Sequence, residues 1–238
     1  VTQSPATTDP IVWGEIEGQT ITFPMEVTRF DAATFGYTVP LEAAAALLPG
    51  DAFEPLDLGG VAQMVIAACD YHENPWGDYL ELNLGFLARP VGAAPEVNGS
   101  FVYRMPVDQA FTCKAGNDVM GFPKTVEDLS VTRADGRVTF AWHRDGALVL
   151  SLDFPDAPAA GDPVRVETDS YSYLDGKPYA TSLGMDLGTG AIDPADVVLE
   201  LGDDVVADEL RALGLPKTPD FGAWGTDLTA SFQLGRPV

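Results

Sequence analysis

Apolar and polar residues alternate with a period of two along much of this 238-residue chain, the signature of half-buried β-strands. The segments "TITFPMEVTRF" (20–30) and "ATFGYTVP" (33–40) show it together with the β-branched and aromatic residues that suit a pleated surface. Two apolar runs, "GGVAQMVIAACDYH" (59–72) and "YLELNLGFLARPV" (79–91), are long enough for buried strands, and "GSFVYRMPV" (99–107) predicts another. Asp135-Gly136 and Asp145-Gly146 divide residues 129–154 into three β-rich runs. Asp-Gly makes a two-residue hairpin turn, so an antiparallel meander follows. Asp175-Gly176 makes a third such turn within residues 164–185, and strands at 197–202 and 227–235 complete the set.

Helical signals are fewer. "LEAAAALLPG" (41–50) is a short helix closed by Pro-Gly, and a second helix begins with Asp108 as its N-cap and has Gly116 near its end. "DDVVADELRALGLP" (203–216) is amphipathic and stops at Gly214 and Pro216. Residues 1–10 read as a loose arm and residues 118–129 as a loop. No repeat, low-complexity segment or linker interrupts 11–238, so a single domain is expected there. The fold class that follows is α+β: a mostly antiparallel sheet, strongly curled or closed into a barrel to remove its free edges, with two or three flanking helices.

Charge narrows the partners. Lys and Arg total 13 against 36 Asp and Glu, a formal net charge of −23. Such a surface repels phosphates and anionic lipid, so neither nucleic acid nor membrane is an expected partner. No stretch approaches 18 apolar residues, and "VTQSPATTDP" lacks the basic region and apolar core of a signal segment, which makes a cytoplasmic protein the expectation. Cys69 and Cys113 are too few for a disulfide framework and sit in apolar surroundings, as buried free thiols do.

Where cations are this scarce, Lys124 stands out, directly after Met120-Gly121-Phe122-Pro123. Only a neutral amine has the lone pair to attack a carbonyl, and burial or a nearby cation favours that form. Met120 and Phe122 would wall the side chain off from water, while Gly121 and Pro123 fix the bend that aims it. The plainer alternative is a loop lysine whose stem lies on apolar neighbours and whose head stays wet. Pro216-Lys217-Thr218 repeats the same tripeptide in a solvated connection, so the tripeptide alone decides nothing. Tyr79, Glu81 and Asn83 share one face of their strand, with leucines on the other. That face is either solvated or turned into a barrel, and in the second case Tyr79 and Glu81 suit proton transfer. Asp70, His72 and Glu73 suggest a metal, but two histidines in the whole chain leave few ligands, and none is expected. His143, next to a hairpin turn, reads as exposed. "LGTGAID" (187–193) lacks the spacing, the lysine and the strand-to-helix setting of a phosphate loop.

The ungapped stretch "GSFVYRMPVDQAFTCKAGNDVMGFPK" (99–124) resembles the active-site region of the acetoacetate decarboxylase superfamily. There, a strand and a short helix lead into a Gly-x-x-x-x-(Gly/Ala)-(Phe/Tyr)-Pro-Lys loop ending in a Schiff-base lysine; Asp108, Gly116, Pro123 and Lys124 fall in register. "GDYLEL" (77–82), "VPLEAAAALLPG" (39–50) and "YLDGKP" (173–178) resemble further parts of the family. The resemblance implies that Lys124 forms the Schiff base and that Glu81 shuttles protons beside Tyr79. It also implies that Arg29, to within a residue or so, holds a substrate carboxylate, and that Met120 and Phe122 line the pocket.

Two positions depart from the family. Thr125 stands where acetoacetate decarboxylase carries a second lysine, whose charge is a known means of activating the first. Gln63 or Met64 stands where the family has a second pocket glutamate. Gln63 and Thr125 would then touch substrate as neutral groups. These departures lean the expectation toward non-classical chemistry over acetoacetate itself, either decarboxylation of another β-keto acid or aldol and dehydration chemistry on a 2-oxo acid. The expected protein is a carbon–carbon lyase acting on a small keto acid through Lys124, with no other cofactor, and by analogy a homo-oligomer. The alternative is a keto-acid-binding protein that kept the pocket and lost turnover.

Overall fold

The computed structural model describes residues 10–94 and 96–238; apart from Pro10, the arm expected at 1–10 lies outside them. Chain order begins with β1 (Ile11–Ile16), β2 (Gln19–Phe23), β3 (Met25–Pro40), α1 (Leu41–Leu47), β4 (Phe53–Pro55), β5 (Val61–Glu73), β6 (Tyr79–Pro90) and β7 (Gly99–Val107). Then follow α2 (Ala110–Met120), β8 (Lys124–Val126), β9 (Asp128–Ala134), β10 (Arg137–Arg144), β11 (Ala147–Pro155), β12 (Val164–Leu174) and β13 (Lys177–Leu187). The chain ends with β14 (Gly190–Ile192), β15 (Val198–Leu201), α3 (Val205–Ala212), β16 (Phe221–Phe232) and β17 (Arg236–Pro237).

The expected curling is complete. β16, β3, β5, β6, β7, β12 and β13 pair in that order, and β13 pairs back onto β16, closing a seven-stranded barrel. All its contacts are antiparallel except β7 with β12. The Asp-Gly turns stand as read: Asp135, Asp145 and Asp175 have φ of +52°, +51° and +51°, each followed by a glycine of positive φ. That is the conformation a two-residue hairpin requires. β9, β10 and β11 form the meander, extended by β15.

β5 and β6 carry buried side chains on both of their faces. On β5, Ala62, Met64, Ile66 and Ala68 join one apolar cluster with Phe140, Leu152 and Phe154 of the meander, and with Leu210 of α3. Cys69 and Tyr71, of opposite parity, join a second cluster with Ala115, Val119 and Met120 of α2. β6 divides in the same way, its leucines into the first cluster and Tyr79 into the second. The Tyr79–Glu81 face is therefore interior.

Three readings change. The segments 20–30 and 33–40 are cut at Pro24, which has no N–H to give a ladder, so Met25–Pro40 is one strand. The β1–β2 hairpin went unread because its turn is Glu17-Gly18, a pair without the Asp or Asn signal. Residues 118–129 are not a loop: the helix continues to Met120, Lys124–Val126 is β8, and Asp128 opens β9.

β8 matters most for the site. β7 pairs with β12 only at Ser100 and Phe101; farther along, β8 takes that edge, with Lys124 opposite Met105 and Val126 opposite Val107. Glu127 pins the far end of β8. Its carboxylate accepts from Arg144 at 2.8 Å and from Trp142 Nε1 at 3.2 Å. Burial raises the Glu127 pKa, but the Arg144 and Trp142 hydrogen bonds outweigh it and hold the carboxyl below its ordinary range. A lowered folded-state pKa gives stability that is present above the unfolded value of ~4.3 and is lost as pH falls through the folded one. Glu127→Gln should cost about 1–3 kcal/mol in urea unfolding at pH 7, the scale for a charge-assisted bond. The gap from wild type should shrink toward zero as pH drops below about 4; a gap independent of pH would refute the assignment.

Candidate active site

Helix α2 starts one residue later than the sequence suggests. Gln109, not Asp108, is the N-cap, and its Oε1 accepts from Thr112 N at 2.8 Å. Asp108 Oδ1 accepts from Leu80 N at 2.8 Å, fastening the end of β7 to β6 next to Glu81. The helix passes Gly116 and ends at Gly121, whose φ of +66° is the left-handed turn that glycine tolerates. A side chain there would strike the backbone of Tyr173.

Lys124 runs back along this helix. Asn117 clamps its backbone twice: Oδ1 accepts from Lys124 N at 2.9 Å, and Nδ2 donates to Lys124 O at 3.1 Å. The stem then crosses Gly116, where a Cβ would stand 2.7 Å from both Cδ and Cε of the lysine. Nζ ends beside Thr112, donating to Oγ1 at 3.2 Å. Asn117, Gly116 and Thr112 thus guide the side chain along its length.

The nitrogen meets Glu81 Oε2 at 2.7 Å. Lys124 is 7% and Glu81 4% exposed, so the solvated-loop alternative is excluded. Asn83 Nδ2 donates to Glu81 Oε1 at 3.0 Å, leaving the other oxygen to the amine. The Tyr79 ring centre is 5.0 Å from Nζ; Tyr79 stacks on Tyr71 at 4.4 Å, and Tyr71 on Phe30 at 5.3 Å. Burial first, then the charge of Glu81, pushes the Tyr79 and Tyr71 phenols well above their usual range. The same two causes push up the thiol of Cys69, which pairs with Glu81 across the sheet. Burial also raises Cys113, against the opposing charge of Lys124. These groups stay protonated near neutrality, and Glu81 is the carboxylate in contact with the amine.

The remaining expectations divide. Met120 and Phe122 are buried in the apolar cluster on this side of the sheet. Arg29 is not in the site. A bulge between Arg29 and Phe30 shifts the alternation by one, so Val27 and Phe30 face inward while Thr28 and Arg29 are exposed. Arg29 pairs with Glu73 at 3.0 Å. Gln63 lies six residues from Cys69 along β5, roughly 20 Å at strand rise, and reaches toward Asp220; Met64 is on the opposite face. Thr125 is exposed, since the strand that turns Lys124 inward turns its neighbour outward. His72 sets its two ring nitrogens 3.4 Å from Asp31 and 3.6 Å from Asp70, away from the lysine. His143 and Cys113 are half-buried rather than exposed and buried respectively.

Thr112 and Asn117 were missed, and Asn83, read on the same face as Tyr79 and Glu81, was given no role. Thr112 and Gly116 are four residues apart and so share a helix face, a legible signal, but nothing local says that Lys124 returns along it. Two cavities, of about 280 and 180 Å³, are lined by other residues; the larger borders Gly121 and Pro123. The amine itself is closed over by Tyr79, Thr112 and Glu81.

A family model described as acetoacetate decarboxylase matches residues 10–226. No curated protein matches by sequence. Among solved structures, the acetoacetate decarboxylase of Legionella pneumophila is 17% identical, with a TM-score of 0.63, covering 90% of this chain and 87% of its own. The enduracididine biosynthesis enzyme MppR complexed with pyruvate is 17% identical, TM-score 0.65, covering 97% and 98%. An acetoacetate decarboxylase-like enzyme from Sphingomonas wittichii RW1 is 15% identical, TM-score 0.57, covering 93% and 95%. At these identities the likeness concerns the fold.

Gly116→Ala separates folding from lysine placement. Alanine favours a helix interior over glycine by about 1 kcal/mol, which offsets part of the cost of displacing the buried lysine, so the variant should still unfold in one cooperative transition. The new methyl displaces the lysine stem, and borohydride-trapped adduct at Lys124 should fall at least about tenfold, a shift of ~1.4 kcal/mol in barrier. Wild-type trapping in this variant would mean that Gly116 does not set the path.

Proposed function

The chain belongs to the acetoacetate decarboxylase family, and from that premise we propose that it decarboxylates a small β-keto acid through a Schiff base on Lys124. The observation that carries this reading is the buried contact between Lys124 Nζ and Glu81 Oε2 at 2.7 Å. Glu81 takes a proton from the ammonium, and the neutral amine attacks the ketone. Glu81 returns that proton to the departing oxygen, water leaves, and the iminium nitrogen keeps one hydrogen. The bond to the substrate carboxylate then breaks, carbon dioxide departs, and the electron pair enters the iminium to give an enamine. A proton from solution, relayed by Glu81, adds to carbon, and hydrolysis frees the ketone and the amine.

The choice between decarboxylation and aldol chemistry turns on the substrate carboxylate. Aldol chemistry must retain it, and a guanidinium is the side chain best suited to hold it. Arg29 is engaged outside, and every other arginine has a carboxylate partner elsewhere in the fold. A carboxylate held dry beside Glu81 with no such partner is destabilised, and losing carbon dioxide relieves that. With Arg29 outside, the group expected to hold a retained carboxylate is missing from the site. We further infer a cytoplasmic homo-oligomer, which the native mass in solution tests.

Acetoacetate with borohydride should leave an irreversible mass adduct on Lys124, and carbon dioxide should be released in its absence. Glu81→Gln should retain a slow adduct but lose about 10²–10⁴-fold in turnover, the range for general acid–base catalysis. An adduct with pyruvate and none with acetoacetate would favour the aldol reading. Ligand-induced stabilisation with no adduct from any small keto acid would favour a binding protein.

A further inference from the structure

Glu81 and Thr112 hold the Lys124 nitrogen in different ways. Glu81 Oε2 is nearer, at 2.7 Å, in a buried ion-pair contact. Thr112 Oγ1 accepts a hydrogen bond from the same nitrogen at 3.2 Å. Coulomb attraction is indifferent to angle, whereas a hydrogen bond weakens steeply off axis. Glu81 therefore sets the charge balance at the nitrogen, and Thr112 sets the direction of its N–H.

Thr112 is itself well fixed. It is 0% exposed, in the first turn of α2. Its backbone N–H donates to Gln109 Oε1 at 2.8 Å. Gln109 Nε2 in turn donates to Trp76 O at 2.8 Å and Asp78 O at 3.2 Å, in the loop that leads into β6. The hydroxyl is thus anchored to the segment that delivers Glu81. Nothing in the local sequence "QAFTCKAG" marks it for chemistry.

We propose that Thr112 is a catalytic residue of this site, the acceptor for the N–H of the Lys124 amine and, after condensation, for the N–H of the iminium. This rests on the Schiff-base reading and adds a division of labour to it. Condensation with a ketone forms the C–N bond, expels the carbonyl oxygen as water and leaves a single hydrogen on nitrogen. Were Glu81 to hold that hydrogen, its carboxylate would stay locked to nitrogen when a proton is needed at carbon. With Thr112 holding it, Glu81 is free to collect a proton from solution and carry it to the enamine.

The test uses formaldehyde as the carbonyl and cyanoborohydride as the trap, which reads condensation at Nζ whatever the natural substrate. Methylation of Lys124 is followed by peptide mass spectrometry against exposed Lys177 in the same sample. Thr112→Val keeps the shape and removes the acceptor; it should slow Lys124 methylation about tenfold relative to Lys177, one hydrogen bond's effect on a rate. Thr112→Ser keeps the hydroxyl and should stay within about threefold of wild type. Equal rates in the valine variant and wild type would overturn the proposal. Equal slowing in the serine and valine variants would also overturn it, assigning Thr112 to packing. If wild type forms no acetoacetate adduct, the decarboxylase reading fails on its own, while the formaldehyde comparison still decides the role of Thr112.

Discussion

A lysine ammonium kept out of water is costly, several kcal/mol after relaxation, and a single carboxylate repays that only partly. The Lys124–Glu81 contact is therefore poor as a stabilising device, and much of the surrounding structure exists to hold it. Asn117 fixes the lysine backbone, Gly116 clears its path, Thr112 meets its nitrogen and Asn83 occupies the second oxygen of its partner. Groups that would otherwise compete for the proton, Tyr71, Tyr79 and Cys69, are kept neutral by the same burial.

Barrel closure is what makes the burial possible. A flat sheet would leave the Tyr79–Glu81 face wet, as plain alternation allows. Closing the ring and packing α2 over that face gives it a second apolar layer. The gap where β12 parts from β7 is filled by β8, so the lysine comes from a strand of the wall rather than from a mobile loop. Glu127, through Arg144 and Trp142, ties that short strand to the outer meander.

Much of this was legible in the sequence. The strand at 99–107 and the three Asp-Gly hairpins stand as read, because turn chemistry and alternation are local properties. Lys124 and Glu81 were found as a pair through the resemblance of residues 99–124 and 77–82 to one family, and the structure brings them into contact. The errors share a cause. Arg29 was placed inside by the family resemblance, to within a residue or so, and a single bulge turned it out. Gln63 was placed by register along a strand whose two halves feed different clusters. Thr125 was counted with its neighbour although adjacent strand residues face opposite ways.

The longer strands, the Asp-Gly hairpin turns and the acidic composition were readable from the sequence by itself, because each is a local or summed property, and a family resemblance added Lys124 and Glu81 as candidate site residues. Only the tertiary structure decided which face of β6 is dry, that Arg29 lies outside, and that Thr112 and Asn83 complete the site. Those outcomes depend on a bulge, on ring closure and on the return of Lys124 along α2, contacts between residues distant in sequence that no local pattern encodes.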